Sequence, residues 1–328
     1  MGLGHALTRA AGPTQLVRPR ARWLLTIATM ALAGLAAWAW TPDLTQAELD
    51  ARYLHRAADR IDLHTLPGVR LHVRDSGPPK APVLLMLHGF GASLHTWEPW
   101  AVALSEHYRV IRIDLPGSGL SPPDPSGVYT DARSMQILLA WLDQLGVARV
   151  TLVGHSIGGR IAWGMAARHP GRVARLVLLA PDGFASPGFA YGQTAELPTA
   201  LKLMTHVMPK PMLRLSLLPA YADPHALSDR LAERYFDLMR APGARAALLA
   251  RLQQTVLSDP RPLLRDIAVP TLLVWGEQDA MIPVSNAADY LAALPDARLV
   301  ALPGIGHLPQ EEQPARGLAA LQAFLQDR

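Results

Sequence analysis

The 328-residue chain contains no cysteine, so it can form neither a disulfide framework nor a thiolate metal site. Its histidines show no spacing typical of metal ligands, and no glycine-rich loop of the phosphate-binding kind is present. There is also no internal repeat and no low-complexity tract. The sequence therefore predicts no metal and no other cofactor.

The net charge of +4 originates at the N-terminus. The chain has 31 basic and 27 acidic residues, and four of the basic ones precede residue 23, namely Arg9, Arg18, Arg20 and Arg22. Without these four arginines, the basic residues equal the acidic ones in number, and the rest of the chain is neutral. The high pI therefore does not indicate nucleic-acid binding, and no nucleic-acid partner is expected.

Residues 23–40 contain no charged side chain. A helix of this length would span about 27 Å, which is close to the hydrocarbon thickness of a bilayer. Basic residues precede the run and no acidic residue occurs before Asp43, so the positive-inside rule puts residues 1–22 in the cytoplasm as a basic tail. We expect a transmembrane signal anchor over 23–40 in the inner membrane, then a linker over 41–59 and a periplasmic domain.

A cleaved signal peptide is the alternative for this segment. Residues 37–39, Ala-Trp-Ala, match a small-x-small cleavage site, and cleavage would leave a secreted protein. The uncharged run is longer than the roughly 7–15 residues of a signal-peptide core, which favours the uncleaved anchor. The membrane is thus an expected partner through the N-terminal helix, while the oligomeric state is not indicated.

The most informative motif is Gly-His-Ser-Ile-Gly at residues 154–158. A β-branched apolar run precedes it at 149–153, and a helical pattern follows at 161–167. A serine on a sharp strand-to-helix turn projects from the sheet edge, and flanking glycines allow backbone to pass close by. The next amide lies at a helix N-terminus, where partial positive charge favours an oxyanion. The motif predicts Ser156 as a nucleophile and the Ile157 N–H as an oxyanion donor.

A serine hydroxyl needs a base to take its proton and an acid to orient that base. A buried strand is predicted at 270–276 and is followed by Asp279; another is predicted at 297–302 and is followed by His307. Both polar residues come just after the carboxyl end of a strand, where open α/β sheets place their sites. We therefore predict Asp279 as the orienting acid and His307 as the general base.

Other residues could fill these roles. Asp279 could simply cap the helix predicted near 283–284, and Asp182, at the end of another predicted strand, is a rival acid. His155 neighbours the serine but is expected to point to the other side of the turn, and His88 belongs to a different loop. His307 is preferred because it lies in a glycine-rich loop after the last predicted strand.

A second oxyanion donor is predicted in the loop His-Gly-Phe-Gly at 88–91, which follows an apolar strand at 83–87. Glycines here allow the Phe90 N–H to face the site opposite the Ile157 N–H. Each such fixed donor contributes about 3–4 kcal/mol in comparable sites. An ordinary glycine turn after a strand is the alternative interpretation.

Taken in order, these motifs resemble the α/β-hydrolase superfamily, and more narrowly its branch of carboxylesterases, small-cap lipases and meta-cleavage C–C hydrolases. The resemblance covers about residues 60–328 and rests on the motifs at 88–91, 114–119 (Asp-Leu-Pro-Gly-Ser-Gly), 154–159, 275–279 (Trp-Gly-x-x-Asp) and 306–307 (Gly-His). It implies Ser156 as the nucleophile, Asp279 and His307 as its partners, and Phe90 and Ile157 as oxyanion donors. Related dehalogenases and epoxide hydrolases carry Asp at the nucleophile position, so Ser156 argues against both.

The expected architecture is an α/β-hydrolase fold with a mostly parallel central sheet flanked by helices. Its core is predicted at 60–181 and 270–328, with a helical cap inserted at 182–269. The cap is rich in leucine and methionine, is broken by prolines, and should contain helices near 196–207 and 226–240. Flexible apolar side chains suit an adaptable pocket, although most of them must simply pack the cap onto the core.

The sequence thus predicts a serine hydrolase that cleaves small-molecule carboxylic esters with apolar, short-to-medium acyl groups through an acyl-enzyme. A C–C bond hydrolase of the meta-cleavage type is the alternative, and an extracytoplasmic location counts against it. A non-catalytic binding protein on this fold should have a broken triad, whereas Ser156, Asp279 and His307 are all present. Fold alone does not decide the substrate, and no substrate-binding residue is identified.

Overall fold

The computed structural model describes residues 19–185, 190–194 and 197–327, and the chain forms two compact units that divide after Trp40. The first unit contains α1 (Pro19–Ala39), which begins within the predicted basic tail; the rest of that tail lies outside the described residues. In the described parts of the chain, no helix combines the length and the apolar character needed to cross a bilayer. The transmembrane helix expected over 23–40 is therefore not supported.

The segment expected as a linker, 41–59, belongs to the second unit and requires correction. It contains α2 (Gln46–Tyr53), which begins with a capping box: the Thr45 hydroxyl accepts the Glu48 N–H, and the Glu48 carboxylate accepts the Thr45 N–H. Leu49 on α2 is fully buried. Because burying an apolar side chain stabilises the packed state, this segment is part of the folded unit.

The second unit is built on one eight-stranded sheet. Its strands are β1 (Arg60–Asp62), β2 (Arg70–Ser76), β3 (Val83–Leu87), β4 (Arg109–Ile113), β5 (Val150–His155), β6 (Val173–Leu179), β7 (Thr271–Gly276) and β8 (Ala297–Leu302). The order across the sheet is β1-β2-β4-β3-β5-β6-β7-β8. β1 pairs antiparallel with β2, and β2 with β4, while the other neighbours pair in parallel. The predicted mostly parallel sheet is confirmed.

Helices cover both faces of this sheet. Those that follow α2 are α3 (Glu98–Leu104), α4 (Asp131–Gln144), α5 (Ile157–Arg168), α6 (Thr199–Lys202), α7 (Lys210–Leu217), α8 (Asp229–Met239), α9 (Ala244–Gln254), α10 (Arg261–Arg265), α11 (Asn286–Ala293), α12 (Pro309–Glu312) and α13 (Pro314–Gln326). Successive strand side chains point to opposite faces. On β3, Leu85 and Leu87 join a buried cluster with α4, α5 and α11, whereas Leu84 and Met86 join another with α3 and α13.

Between β6 and β7, the described residues form α6 to α10, short 3₁₀ turns and two isolated bridges, without a strand of the sheet. The insertion predicted over 182–269 is thus helical in its described part. One apolar cluster, here called the cap cluster, connects this insertion with the loop after β3. Its buried members are Ala92, Met208, Leu213, Tyr235, Met239 and Leu248, and Met204, Leu217, Leu231 and Phe236 pack against them.

Candidate active site

Ser156 occupies the turn between β5 and α5 and has a strained backbone, with φ 53° and ψ −120°. Such a conformation costs a non-glycine residue about 1–3 kcal/mol, so the surrounding structure must impose it. The Ser156 N–H donates to the Leu179 carbonyl at 3.0 Å, and the Ser156 carbonyl accepts the Asp182 N–H at 3.1 Å. The turn therefore places this serine at the carboxyl end of a central parallel strand, as the motif predicts.

The glycines of the motif allow two loops to touch. A β-carbon on Gly158 would lie 2.5 Å from the carbonyl oxygens of both Leu87 and His88, and one on Gly154 would lie 2.4 Å from the Gly158 carbonyl oxygen. Real β-carbons do not occupy such positions, so glycine is required at both places. The serine turn is consequently packed against the start of the loop at 88–91.

Asp279 and His307 are adjacent and buried. The Asp279 Oδ2 atom lies 2.7 Å from His307 Nδ1, while Asp279 Oδ1 accepts the N–H groups of Met281 and Ile282 at 2.8 Å each. One carboxylate oxygen thus caps a turn, as the alternative interpretation expects, and the other contacts the histidine. Because Nδ1 donates to the carboxylate, Nε2 is the nitrogen left to accept a proton.

The rival acid, Asp182, is engaged elsewhere. Its carboxylate pairs with the guanidinium of Arg160, which also pairs with Asp131 at 2.8 Å. Burial raises the pKa of Asp182, and the charge of Arg160 opposes that rise. Asp182 therefore serves an ion-pair network on α5, and Asp279 is the carboxylate that contacts His307.

The rival histidine His88 has a structural environment. Its Nε2 accepts the Leu115 N–H at 3.0 Å, and its Nδ1 lies 2.8 Å from the Gly89 carbonyl oxygen. Burial lowers the pKa of His88, so the ring is neutral. Both ring nitrogens are thereby used to fix loops.

The expectation that His155 points away from the site requires correction. Its Nε2–H donates to the His307 carbonyl at 2.8 Å, and the two ring centroids are 4.6 Å apart. Burial lowers the pKa of His155 well below its usual range, and the adjacent His307 lowers it further. A neutral imidazole next to the serine thus supports the backbone of His307. Sequence proximity to Ser156 was the one available signal, and it did not indicate this contact.

Ser156 and His307 are brought to the same edge of the sheet, but in the described structure no hydrogen bond joins the Ser156 hydroxyl to the His307 ring. The link between them is His155, which precedes Ser156 in the chain and holds the His307 carbonyl. Catalytic hydrogen bonds of this kind are often long before substrate binds and shorten in the reactive complex.

The loop at 88–91 lies directly against the serine turn. A β-carbon on Gly89 would be 2.6 Å from His155 Nδ1 and 3.2 Å from Ser156 Cβ. Within the described part of the chain, the Phe90 N–H donates to no protein acceptor, and Ile157 is the first residue of α5. The loop that carries Phe90 and the helix that begins at Ile157 therefore both adjoin the serine turn, and an oxyanion hole formed by their N–H groups stays a prediction.

The motif at 114–119 has a structural role. Asp114 Oδ1 accepts the Leu94 N–H at 2.6 Å, and Oδ2 accepts the Leu120 N–H at 2.8 Å. Burial acts to raise the pKa of Asp114, but the hydrogen bond and charge of His72 outweigh it and lower the pKa to about 2. This ionised carboxylate ties the loop after β4 to the loop after β3, beside the serine turn.

A cavity of about 1010 Å³ lies between α2, α3 and α8 and has a charged lining. Three of its arginines form ion pairs: Arg52 with Asp237 at 2.7 Å, Arg74 with Glu98 at 2.8 Å, and Arg234 with Glu311 at 3.2 Å. Neither Ser156 nor His307 lines this cavity, so we place the chemistry at the serine turn instead. Among the described residues, no group of three or more His, Asp or Glu side chains is arranged to hold a metal ion.

Comparison with known proteins agrees with the fold. Residues 82–314 match the family model described as alpha/beta hydrolase fold. The chain is 30% identical over 260 residues to a 2-hydroxy-6-oxononadienedioate/2-hydroxy-6-oxononatrienedioate hydrolase of Comamonas testosteroni, covering 75% of this chain and 88% of that protein.

Solved structures give the same result. The crystal structure of a hydrolase from Pseudomonas aeruginosa PA01 is 29% identical, with a TM-score of 0.71, and the match covers 83% of this chain and 100% of that one. A membrane phospholipase A, described as a bacterial virulence factor, is 27% identical with a TM-score of 0.67, covering 93% of this chain and 96% of that one.

Proposed function

The chain belongs to the α/β-hydrolase family, and we propose that it is a serine hydrolase that cleaves carboxylic esters through an acyl-enzyme on Ser156. The observation that carries this proposal is the buried 2.7 Å contact between Asp279 and His307 beside the strained serine turn. An oriented base next to a serine held outward by its backbone is what nucleophilic catalysis at neutral pH requires.

The proposed reaction has two halves, acylation of Ser156 and hydrolysis of the acyl-enzyme. The Ser156 hydroxyl oxygen attacks the ester carbonyl carbon while His307 Nε2 accepts the hydroxyl proton. The carbonyl oxygen becomes an oxyanion that accepts hydrogen bonds from the N–H groups of Phe90 and Ile157. The C–O bond to the alcohol then breaks, and the alcohol leaves with the proton held by His307. A water molecule, deprotonated by His307, releases the acid and restores Ser156.

The cap cluster supports an apolar acyl group as the part of the substrate that is recognised. Ala92 belongs to this cluster and lies two residues after Phe90, so apolar side chains of the cap extend towards the predicted oxyanion donors. Methionines such as Met208 and Met239 have flexible side chains that adapt to different acyl groups. We therefore propose uncharged esters with short-to-medium acyl chains as substrates.

A C–C bond hydrolase is the second candidate, and one observation favours it. The relative from Comamonas testosteroni, at 30% identity, is named a 2-hydroxy-6-oxononadienedioate/2-hydroxy-6-oxononatrienedioate hydrolase. The same serine, base and oxyanion donors would serve such a substrate. Efficient cleavage of a vinylogous 1,5-diketone acid, with weak ester turnover, would favour this candidate over the esterase.

We propose an extracytoplasmic location for the hydrolase unit. The support is the sequence order, in which arginines precede an uncharged run over 23–40 and no acidic residue occurs before Asp43. The neighbour described as a membrane phospholipase A, which matches 93% of this chain, is compatible with a substrate drawn from lipid. Retention of the N-terminal segment and its cleavage are the two outcomes to be distinguished.

The esterase proposal is tested with p-nitrophenyl esters and three variants. Ser156→Ala should abolish turnover above background, and Asp279→Asn should lower kcat by about 10⁴-fold, as loss of the orienting acid does in comparable triads. Asp182→Asn is the matched control, since this carboxylate pairs with Arg160. If Asp182→Asn abolishes turnover and Asp279→Asn does not, the assignment of the acid is wrong.

A further inference from the structure

The segment that carries His307 is bonded to the cap. The His307 N–H donates to the Ala220 carbonyl at 2.8 Å. The Glu312 carboxylate accepts the Gly306 N–H and the Asp223 N–H, each at 2.7 Å. Ala220 and Asp223 lie between α7 and α8 in the insertion, so the cap is hydrogen-bonded to the histidine segment at His307 itself and at Glu312.

Glu311, on α12, strengthens this connection through its side chain, which is only 4% exposed. Its Oε2 accepts the hydroxyl hydrogens of Tyr221 at 2.7 Å and Tyr235 at 3.1 Å, and its Oε1 lies 3.2 Å from the Arg234 guanidinium. Burial raises the pKa of both tyrosines well above their usual range, so both hydroxyls remain protonated donors. All three donors belong to the cap.

Tyr235 connects this carboxylate with the cap cluster. Its ring is buried in the same cluster as Ala92 and Met239, while its hydroxyl donates to Glu311. A single side chain therefore contacts both the apolar region proposed to receive the acyl group and the turn that follows His307. Any shift of Tyr235 on substrate entry acts directly on Glu311.

A purely structural contact would not require a buried carboxylate. Replacing a buried ion pair with well-packed apolar side chains is often neutral or stabilising, because desolvation of the charges offsets their attraction. A carboxylate that accepts three directed hydrogen bonds fixes the relative position of the groups it joins. Here, that position is the one of the cap relative to the histidine segment.

We propose that Glu311 is a positioning residue that couples the cap to His307. When an acyl group occupies the cap cluster, the contacts of Glu311 with Tyr221, Arg234 and Tyr235 hold the turn after His307, so that Nε2 reaches the Ser156 hydroxyl. This proposal rests on the proposed function, since it takes Ser156 as the nucleophile. It accounts for a site in which His307 contacts Asp279 but shares no hydrogen bond with Ser156 among the described residues.

The test uses a fluorophosphonate probe, because its reaction with a serine depends on an aligned base and not on the natural substrate. The full-length protein is compared with Glu311→Gln, Tyr235→Phe and the double variant, and Glu106→Gln, at an exposed glutamate, is the matched control. Measured quantities are the second-order labelling rate, kcat and KM for acetate and octanoate esters, and the melting temperature.

We expect Glu311→Gln to lower the labelling rate and kcat by roughly 10- to 100-fold, the effect of a small misplacement of a catalytic group. The loss in kcat should be larger for the octanoate ester than for the acetate ester, because the longer acyl group fills more of the cap cluster. The double variant should lose little more than Glu311→Gln, and Glu106→Gln should match the wild type. Tyr235→Phe, which keeps the ring, supplies the same comparison if Glu311→Gln folds poorly.

Equal labelling rates for wild type, Glu311→Gln and Tyr235→Phe would overturn the role of Glu311 and leave the serine-hydrolase proposal intact. A change confined to KM for the octanoate ester, or a loss of rate that follows the loss of folded protein, would also overturn it. Failure of the wild type to react with the probe at Ser156 would instead refute the proposed function, and the coupling with it.

Discussion

Gly89 approaches His155 so closely that a β-carbon at position 89 would lie 2.6 Å from His155 Nδ1. The other nitrogen of the same ring donates to the His307 carbonyl. One neutral imidazole therefore separates the loops that follow β3, β5 and β8, which carry the predicted oxyanion donor, nucleophile and base. Spacing of these three loops depends on the absence of a side chain at Gly89.

A side chain at position 89 should consequently disrupt catalysis more than stability. We expect Gly89→Ala to lower kcat by roughly 10²–10³-fold, as loss of one oxyanion donor does, because the new methyl group displaces either the loop or His155. Gly171→Ala is the control, since a β-carbon on Gly171 would have no atom of the described residues within 4 Å. Steady-state kinetics and melting curves of the two variants check this; equal kcat values would contradict it.

Buried neutral histidines should make the fold sensitive to mild acid. Burial lowers the pKa of His95 to about 3 and also lowers those of His88 and His155, whereas an unfolded histidine titrates near 6.5. Below pH 6.5 the unfolded chain binds more protons than the folded one. The free energy of unfolding therefore decreases as the pH is lowered, by up to about 1.4 kcal/mol per pH unit for each histidine.

Urea unfolding at pH 7, 6 and 5 measures this slope. His95→Gln removes one of the three groups and should make the dependence shallower, whereas His107→Gln, at an exposed histidine, should leave it unchanged. The same slope in His95→Gln and in the wild type would mean that His95 is not held neutral by the fold.

Acyl-chain preference should follow the volume available in the cap cluster. Each added methylene that becomes buried contributes about 0.8 kcal/mol, so kcat/KM should rise from acetate to about butyrate or octanoate and then fall when the cluster is full. Met239→Ala should move the optimum to longer chains, at a stability cost of about 2–5 kcal/mol for a buried methionine. Met212→Ala, at an exposed methionine of the same insertion, should change neither the optimum chain length nor the stability. A steady decline from acetate would show that the cluster receives no acyl group.

The location proposal predicts where the N-terminal peptides are found. After cell fractionation, mass spectrometry of the membrane-associated protein should detect peptides that begin before Arg22 if the segment is retained. Detection of the protein in the periplasmic fraction, starting near Trp40, would indicate cleavage. Recovery of the full-length chain from the cytoplasmic fraction alone would contradict both forms of the proposal.

The arrangement of the site was predictable wherever it depends on strand ends. Ser156, Asp279 and His307 each follow an apolar run, and the carboxyl ends of parallel strands meet at one edge of a sheet. The alternation of strands and helices therefore predicts that these residues lie near one another. The proximity of Asp279 and His307 is the clearest example.

Other features depend on tertiary contacts that periodicity does not encode. The contact of His155 with His307 spans 152 residues of sequence, and that of Glu311 with Tyr221 spans 90. Similarly, α2 has few apolar residues, and burial of Leu49 is decided by the surface it meets. The local sequence pattern predicts that a helix or strand forms. Which polar groups that helix or strand contacts depends on how the elements pack.

In the proposed mechanism, Ser156 carries the acyl group during turnover. Rapid-quench mass spectrometry of the reaction with p-nitrophenyl butyrate tests it most directly, together with the burst of p-nitrophenol that an acyl-enzyme produces. We predict a transient butyryl group on the peptide that contains Ser156, and no adduct in Ser156→Ala, whose kcat should fall by roughly 10⁴–10⁶-fold. Undiminished turnover by Ser156→Ala, or a butyryl group on another residue of the wild type, would contradict the account.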